Sequence, residues 1–282
     1  MKIKVKTPAK INLTLEVLNK REDGFHNIQS IMQTVSLYDF LTFDVQKSDK
    51  RQIVLSGNSS EIPYDERNLV YKAVEKFLNK ANIENVKVEV YIEKNIPVCA
   101  GLAGGSTNAA GAFFALNKLF NNVLSQKEIE DLCASMGSDL NFCLNGGCRL
   151  CTSRGEITKE LPFFEADVSI IKPKNLGISA KEAYTKFALL KDKTNPDNTK
   201  KLVELLNENR IDENLIYNSF EQALFPDYQQ LREIKTKVKN SLLSGSGPSF
   251  FVLSSKLNAK FDENEYDIFE NLKTISTGVQ EV

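Results

Sequence analysis

The sequence predicts an α+β protein with mixed sheets, divided into two domains. Three observations carry this reading. Residues 86–92 alternate Val86, Val88, Val90 and Ile92 against Lys87, Glu89 and Tyr91, the period of a half-buried strand. Apolar residues recur at helical spacing in several other segments. Past Gly155 the texture changes, from short compact elements to long charged helical patterns that end in a Gly/Ser-rich turn and an apolar strand.

Taken in order, the N-terminal residues 1–17 read as a mature strand. Residues 68–80 place Val70, Val74, Phe77 and Leu78 on one helical face. The strand 86–92 ends near Lys94. A helix over 106–120 carries Ala109, Phe113, Leu116 and Phe120 on one face, with Ser106 as the expected N-cap. Ser125-x-x-Glu128 is a capping box, followed by Ile129, Leu132, Cys133 and Met136, with Gly137 as the stop. Residues 168–172 read as a strand, and Ser179-x-x-Glu182 opens another helix. Residues 191–200 are charged, contain Pro196 and read as an exposed loop. Helical patterns follow over 198–209, 212–224 and 227–240, and residues 242–253 give the Gly-rich turn feeding a strand. The boundary is expected at 154–160, giving domains 1–157 and 158–282.

Composition narrows the function. A chain of 282 residues buries a sizeable core without staples. Thirty-six basic against thirty-seven acidic residues leave a net charge of −1, which argues against a nucleic-acid partner. No apolar run reaches the roughly 18 residues of a membrane helix, so no membrane partner is expected, and no signal-peptide h-region opens the chain. The five cysteines, Cys99, Cys133, Cys143, Cys148 and Cys151, read as reduced thiols of a cytoplasmic protein. A single histidine, His26, excludes His-rich metal sites.

The most informative segment is Pro97-Val98-Cys99-Ala100-Gly101-Leu102-Ala103-Gly104-Gly105-Ser106-Thr107. A strand ends, glycines follow and a helix begins. Glycines allow close backbone approach, and a helix N-terminus offers unpaired N–H groups and partial positive charge, together a phosphate cradle. A merely tight strand–helix turn is the plainer alternative. With no Gly-Lys dipeptide it is not a P-loop, and G-x-G-x-x-G is also absent. Any lysine serving phosphates must come from elsewhere. Four weaker signals remain: Lys10 in an apolar β-like run, His26 after an Asp-Gly turn, Asp139 beyond a helix end, and a second Gly/Ser loop at 243–248. Taken singly, each reads as an edge-strand lysine, a turn histidine, a capping aspartate or a plain turn.

In this order, Pro8-Ala-Lys-Ile-Asn-Leu13, Asp23-Gly-Phe-His26, the glycine loop, Gly137-Ser-Asp139 and Leu243-Ser-Gly-Ser-Gly-Pro248 resemble the GHMP kinase superfamily over about residues 6–253. The first two motifs point to its branch that phosphorylates a hydroxyl of 4-diphosphocytidyl-2-C-methyl-D-erythritol in the non-mevalonate isoprenoid route. The resemblance implies an N-terminal domain like ribosomal protein S5 domain 2 and a ferredoxin-like C-terminal domain. It implies ATP and Mg²⁺, a small-molecule substrate, and a monomer or weak homodimer. It puts the catalytic lysine on Lys10 and the catalytic aspartate on Asp139. Cytidyl recognition falls on His26, with Phe25, Tyr184 and Asn12 as further substrate residues. The ATP loop falls on 97–107, with Lys94 and Asn68 near the adenosine and Ser106 or Thr107 toward the metal. The chain departs from the family pattern at Cys99, Ala103 and Ser153, where glycine is usual. It departs also at Phe25 for tyrosine, Ala180 for threonine and Asn141 for proline. A kinase of another small alcohol, such as homoserine or mevalonate, and an inactive binding protein of the same fold are the alternatives.

Overall fold

The computed structural model describes residues 1–282 apart from Asp192 and Asn195. The chain opens with a long antiparallel hairpin, β1 (Lys2–Lys20) and β2 (His26–Lys47), turned at Asp23-Gly24. The register shifts between Pro8 and Ala9 and again between Asn12 and Thr14. Proline cannot donate to a ladder, so a bulge is where a strand tolerates it. β3 (Gln52–Gly57), α1 (Leu69–Lys80) and β4 (Val86–Glu93) form a crossover, with β3 and β4 parallel. α2 (Gly104–Leu119), α3 (Gln126–Met136) and α4 (Leu140–Asn145) then cover one face of the sheet. β5 (Cys148–Ser153) returns to the first half of β2, and β6 (Ile157–Glu160) pairs with β5.

The second half begins with β7 (Asp167–Pro173), followed by α5 (Ala180–Ala188) and α6 (Asn198–Asn207). A short strand β8 (Tyr217–Asn218) precedes α7 (Phe220–Leu224) and α8 (Gln229–Lys237). β9 (Leu242–Leu243), β10 (Phe250–Val252) and β11 (Tyr266–Lys273) complete an antiparallel sheet ordered β11-β7-β10-β9, and β12 (Gln280–Glu281) ends the chain. β12 pairs with β1, and β8 joins β1 in parallel at Thr14 and Leu15.

The expected division after residue 157 falls within the β5–β6 pairing, and two later strands return to the first sheet. The helix expected over 212–224 is in fact a 3₁₀ turn at Glu213–Leu215, β8 and α7. Its apolar spacing is interrupted because Tyr217 and Asn218 are taken up as strand partners of β1. Within the expected loop 191–200, α6 already begins at Asn198, while Asp192 and Asn195 lie outside the described residues. The helix expected from Ser106 starts two residues earlier, so Ser106 lies in its first turn and Ala103 is the N-cap. The capping box at Ser125 and Glu128 forms as expected, and Ser179 caps α5 by accepting from Glu182 N–H.

The middle of β1 is buried on both faces. Ala9, Ile11 and Leu13 pack with Val168, Ile170 and Phe251 of the second sheet. The alternate residues Lys10, Asn12, Thr14 and Glu16 are also buried, and Lys10 and Asn12 border a cavity between the two halves. A strand sandwiched in this way loses the clean alternation of a solvated sheet. Among the described residues no helix is long and apolar enough to cross a membrane.

Candidate active site

The cavity between the two halves measures about 1060 Å³. Its floor is the loop between β4 and α2. Asp39, fully buried on β2, shapes that loop. Its carboxylate accepts from the backbone N–H of Asn95 (2.6 Å) and Ile96 (2.7 Å) and pairs with Lys94 Nζ at 2.7 Å. The Lys94 side chain is 5% exposed, and burial lowers its pKa against the opposing pull of Asp39. Lys94 is thereby a clip between β2 and the loop; a Cβ at Gly104 would lie 2.8 Å from its Nζ.

Three loop residues take positive φ: Cys99 (+50°), Gly101 (+73°) and Ala103 (+60°). The chain then enters α2, whose first helical bond runs from Thr107 N–H to the Ala103 carbonyl at 2.9 Å. The N–H groups of Gly104, Gly105 and Ser106 precede that bond and point outward at a sixteen-residue helix's positive end. This is an anion cradle. Pro97, Val98, Cys99, Ala100, Gly101, Ala103, Gly104, Gly105 and Ser106 all border the cavity. Leu102 and Thr107 do not: the first packs in the core against β1, and the second is wholly buried. Asn68 borders the cavity while capping α1, accepting from Val70 N–H at 2.9 Å.

The loop is held from the other half. Ser244 Oγ donates to the Gly101 carbonyl at 3.1 Å, and a Cβ at Gly245 would lie 2.9 Å from Lys10 Nζ. Only glycine lets that backbone pass so close. Lys10 itself donates its backbone N–H to the Leu102 carbonyl at 3.1 Å, which fastens β1 to the cradle. Its ammonium, 3% exposed by residue, donates to Asn12 Oδ1 at 2.5 Å and lies 3.9 Å from Asp139 Oδ2. Lys10 is therefore no solvated edge-strand lysine. Asp139 occupies the N-cap position of α4, yet its side chain makes no capping hydrogen bond, so the carboxylate is left to face the cavity and Lys10.

At the other end of the cavity, His26 stacks on Tyr184, with ring centroids 5.2 Å apart and planes 14° apart. Phe220 meets Tyr184 edge-on at 4.8 Å. Burial lowers the His26 pKa, helped by Lys193 and Lys20. The imidazole is neutral near pH 7, with one donor and one acceptor nitrogen. Phe25 is 51% exposed, and the Arg154 guanidinium lies 5.0 Å over its ring.

The site thus brings together Lys10, Asn12, Phe25, His26, Asn68, Lys94, Asp139 and Tyr184 around one cavity. Sequence reasoning missed Arg154, which sits in the turn after β5, and Ser179; Ser246, from the Gly/Ser loop at 243–248, stands on the opposite wall. An Arg within Ser-Arg-Gly-Glu carries no signal beyond a turn. Ser179 stood out only as a helix cap.

For a metal, no group of three or more His, Cys, Asp or Glu among the described residues could cage an ion. A hard dication bound mainly through phosphate oxygens and water needs only one or two protein oxygens. The Asp139 carboxylate and the Ser106 hydroxyl, both on the cavity wall, fit that role.

An amide cradle, a buried lysine paired with a cavity-facing carboxylate and a two-sheet frame define a small-molecule kinase of the GHMP type. Residues 68–147 match the family model "GHMP kinases N terminal domain". The chain is 38% identical over 256 residues to the 4-diphosphocytidyl-2-C-methyl-D-erythritol kinase of Clostridium perfringens (strain SM101 / Type A), covering 88% of each chain. The enzyme of the same name from Clostridium botulinum (strain Eklund 17B / Type B) is 38% identical over 279 residues, or 94% of this chain and 98% of that one. A crystal structure of 4-(cytidine 5'-diphospho)-2C-methyl-D-erythritol kinase superposes with a TM-score of 0.69 at 28% identity, covering 90% of both chains. Homoserine kinase from Cytophaga hutchinsonii superposes with a TM-score of 0.75 at 20% identity over 100% of this chain and 97% of that one, a likeness of fold alone. The chain belongs to the 4-diphosphocytidyl-2-C-methyl-D-erythritol kinase family.

Proposed function

We propose that this protein transfers the γ-phosphoryl group of ATP to a hydroxyl of 4-diphosphocytidyl-2-C-methyl-D-erythritol, a step of the non-mevalonate isoprenoid route, in the cytoplasm. The observation that carries the reading is the Lys10–Asp139 pair, 3.9 Å apart and facing the same cavity as the α2 cradle and the His26–Tyr184 stack. Phosphoryl transfer asks for positioning and charge neutralisation more than covalent help. Asp139 takes the hydroxyl proton as the oxygen attacks phosphorus and the bond to the ADP oxygen breaks. Lys10, 3.9 Å from Asp139, stabilises charge growing on the transferring group. The N–H groups of Gly104, Gly105 and Ser106 hold phosphate oxygens. Ser106 and Asp139 would hold Mg²⁺ bound with the nucleotide, and the ion would neutralise phosphate charge. Neutral His26 offers a donor and an acceptor to the cytosine edge, with Tyr184 and Phe25 as stacking faces.

The test offers ATP with the cytidyl substrate, its uridyl analogue, homoserine and mevalonate in parallel, reading ADP release. The expected result is turnover of the cytidyl substrate, with the uridyl form poorer by up to about 10⁴, because a site built to pair a polar edge rejects one that leaves it unpaired. Asp139→Asn should lower kcat by about 10²–10⁴ and leave substrate Kd nearly unchanged. Turnover of homoserine or mevalonate instead would move the protein to another GHMP specificity. Near-normal kcat in Asp139→Asn would reduce the carboxylate to a turn residue.

A further inference from the structure

We infer that Ser30, which does not line the active-site cavity, is a positioning residue for the Lys10 ammonium and acts through Asn12. The inference rests on reading Lys10 as catalytic. It starts from a chain of three hydrogen bonds. Lys10 Nζ donates to Asn12 Oδ1 at 2.5 Å, Asn12 Nδ2 donates to Ser30 Oγ at 2.8 Å, and Ser30 Oγ donates to the Thr14 carbonyl at 2.6 Å. Lys10, Asn12, Ser30 and Thr14 are all buried.

The direction of the chain is fixed from its far end. A carbonyl only accepts, and a serine hydroxyl has one proton. Once that proton is committed to Thr14, Ser30 Oγ has only lone pairs to offer Asn12. The Asn12 NH₂ must therefore face Ser30, and its carbonyl oxygen must face Lys10. Flipping the amide would set NH₂ against an ammonium and one oxygen against another, leaving buried polar groups unpaired on both sides. The strand bulge supplies the anchor. Between Asn12 and Thr14 the register with β2 shifts, and Ile31 N–H donates to the Thr14 hydroxyl at 3.0 Å. That hydroxyl also accepts from Thr199 Oγ1 at 2.9 Å, which pins Thr14 to α6. The orientation of Asn12 is thus set by the Thr14 carbonyl through Ser30, and the ammonium is held between Asn12 and Asp139.

Ser30→Ala leaves Asn12 Nδ2 without its acceptor and the amide free to turn. The ammonium then loses its fixed oxygen. Because a small misplacement of a charged group acts on the transition state more than on binding, kcat should fall about 10- to 100-fold while KM for ATP and for the cytidyl substrate stays within about twofold. Ser30→Thr keeps the single-proton hydroxyl and should restore most of kcat. The deciding measurement is a double-mutant cycle. In an Asn12→Ala background, Ser30→Ala should cost no further activity, since Ser30 has nothing left to orient. Additive losses, or an unchanged kcat in Ser30→Ala with a normal melting curve, would overturn the inference. Lys10→Ala separates it from the functional reading: full activity there removes Lys10 from catalysis, whereas a dead Lys10→Ala beside a fully active Ser30→Ala removes only Ser30.

Discussion

Ala103 turns from the glycine loop into α2 at φ +60°, a conformation that costs an L-residue about 1–2 kcal/mol. Cys99 takes φ +50° four residues earlier. At both positions the resemblance led to the expectation of glycine, and the backbone is left-handed there whatever the side chain. Ala103→Gly removes the strain but adds about 0.4–1 kcal/mol of unfolded-state entropy. It also removes a methyl group that packs against the main core. The net expectation is stabilisation by about 0.5 kcal/mol, a rise of roughly 1–2 °C in Tm by calorimetry. A fall in Tm would mean that the methyl contact outweighs the strain. At this scale the sequence disclosed the anomaly but not its cause, because φ is set by what the loop must wrap around.

The elements sort the cysteines. Cys133 lies in α3, Cys143 in α4, and Cys148 and Cys151 in β5, all four buried, whereas Cys99 is exposed at the cavity's edge. Burial pushes the Cys133 and Cys148 thiols up to about 12 and raises Cys143 and Cys151 as well. The thiolate is the reactive form, so these four are inert in the folded state. Iodoacetamide under native conditions should label Cys99 first, and an ATP analogue with Mg²⁺ should slow that labelling by filling the cradle beside it. Peptide mapping that finds Cys148 or Cys151 labelled before Cys99 would show that β5 opens more readily than the loop. The same elements were legible beforehand where local chemistry settles them, as in the α3 capping box, the Ser179 cap and the alternation of β4. Ser106 was misread as a cap because two glycines rarely open a helix, and here the cradle requires that they do.

Across the whole molecule, β8 and β12 return to the first sheet, and the loop after β9 rests on the cradle. Asn218 on β8 is the tie. Its Nδ2 donates to the carbonyls of Leu243 (2.7 Å) and Gly245 (2.9 Å), and its Oδ1 accepts from Phe220 N–H (2.9 Å). Asn218→Ala leaves these buried groups unpaired, at about 1–3 kcal/mol. Tm should fall by about 5 °C, and KM for ATP should rise because the loop no longer braces Gly101. A lower Tm with an unchanged KM would show that Ser244 braces the cradle alone.

The sequence by itself determined the glycine-rich turn before α2, most helices and the strands β1, β4, β7 and β10, since each depends on neighbours within a few residues, whereas Lys10, His26 and Asp139 stood out only through the resemblance of their motifs to a family. The tertiary structure alone decided that Lys10 is buried and 3.9 Å from a carboxylate 129 positions away in sequence. It alone decided that 212–224 breaks around β8, that Arg154 reaches the cavity, and that Ser30 meets the Asn12 amide of the neighbouring strand. These facts depend on which segments pack together, and no local pattern of residues encodes that, because a strand's two faces look alike until a second sheet covers one of them.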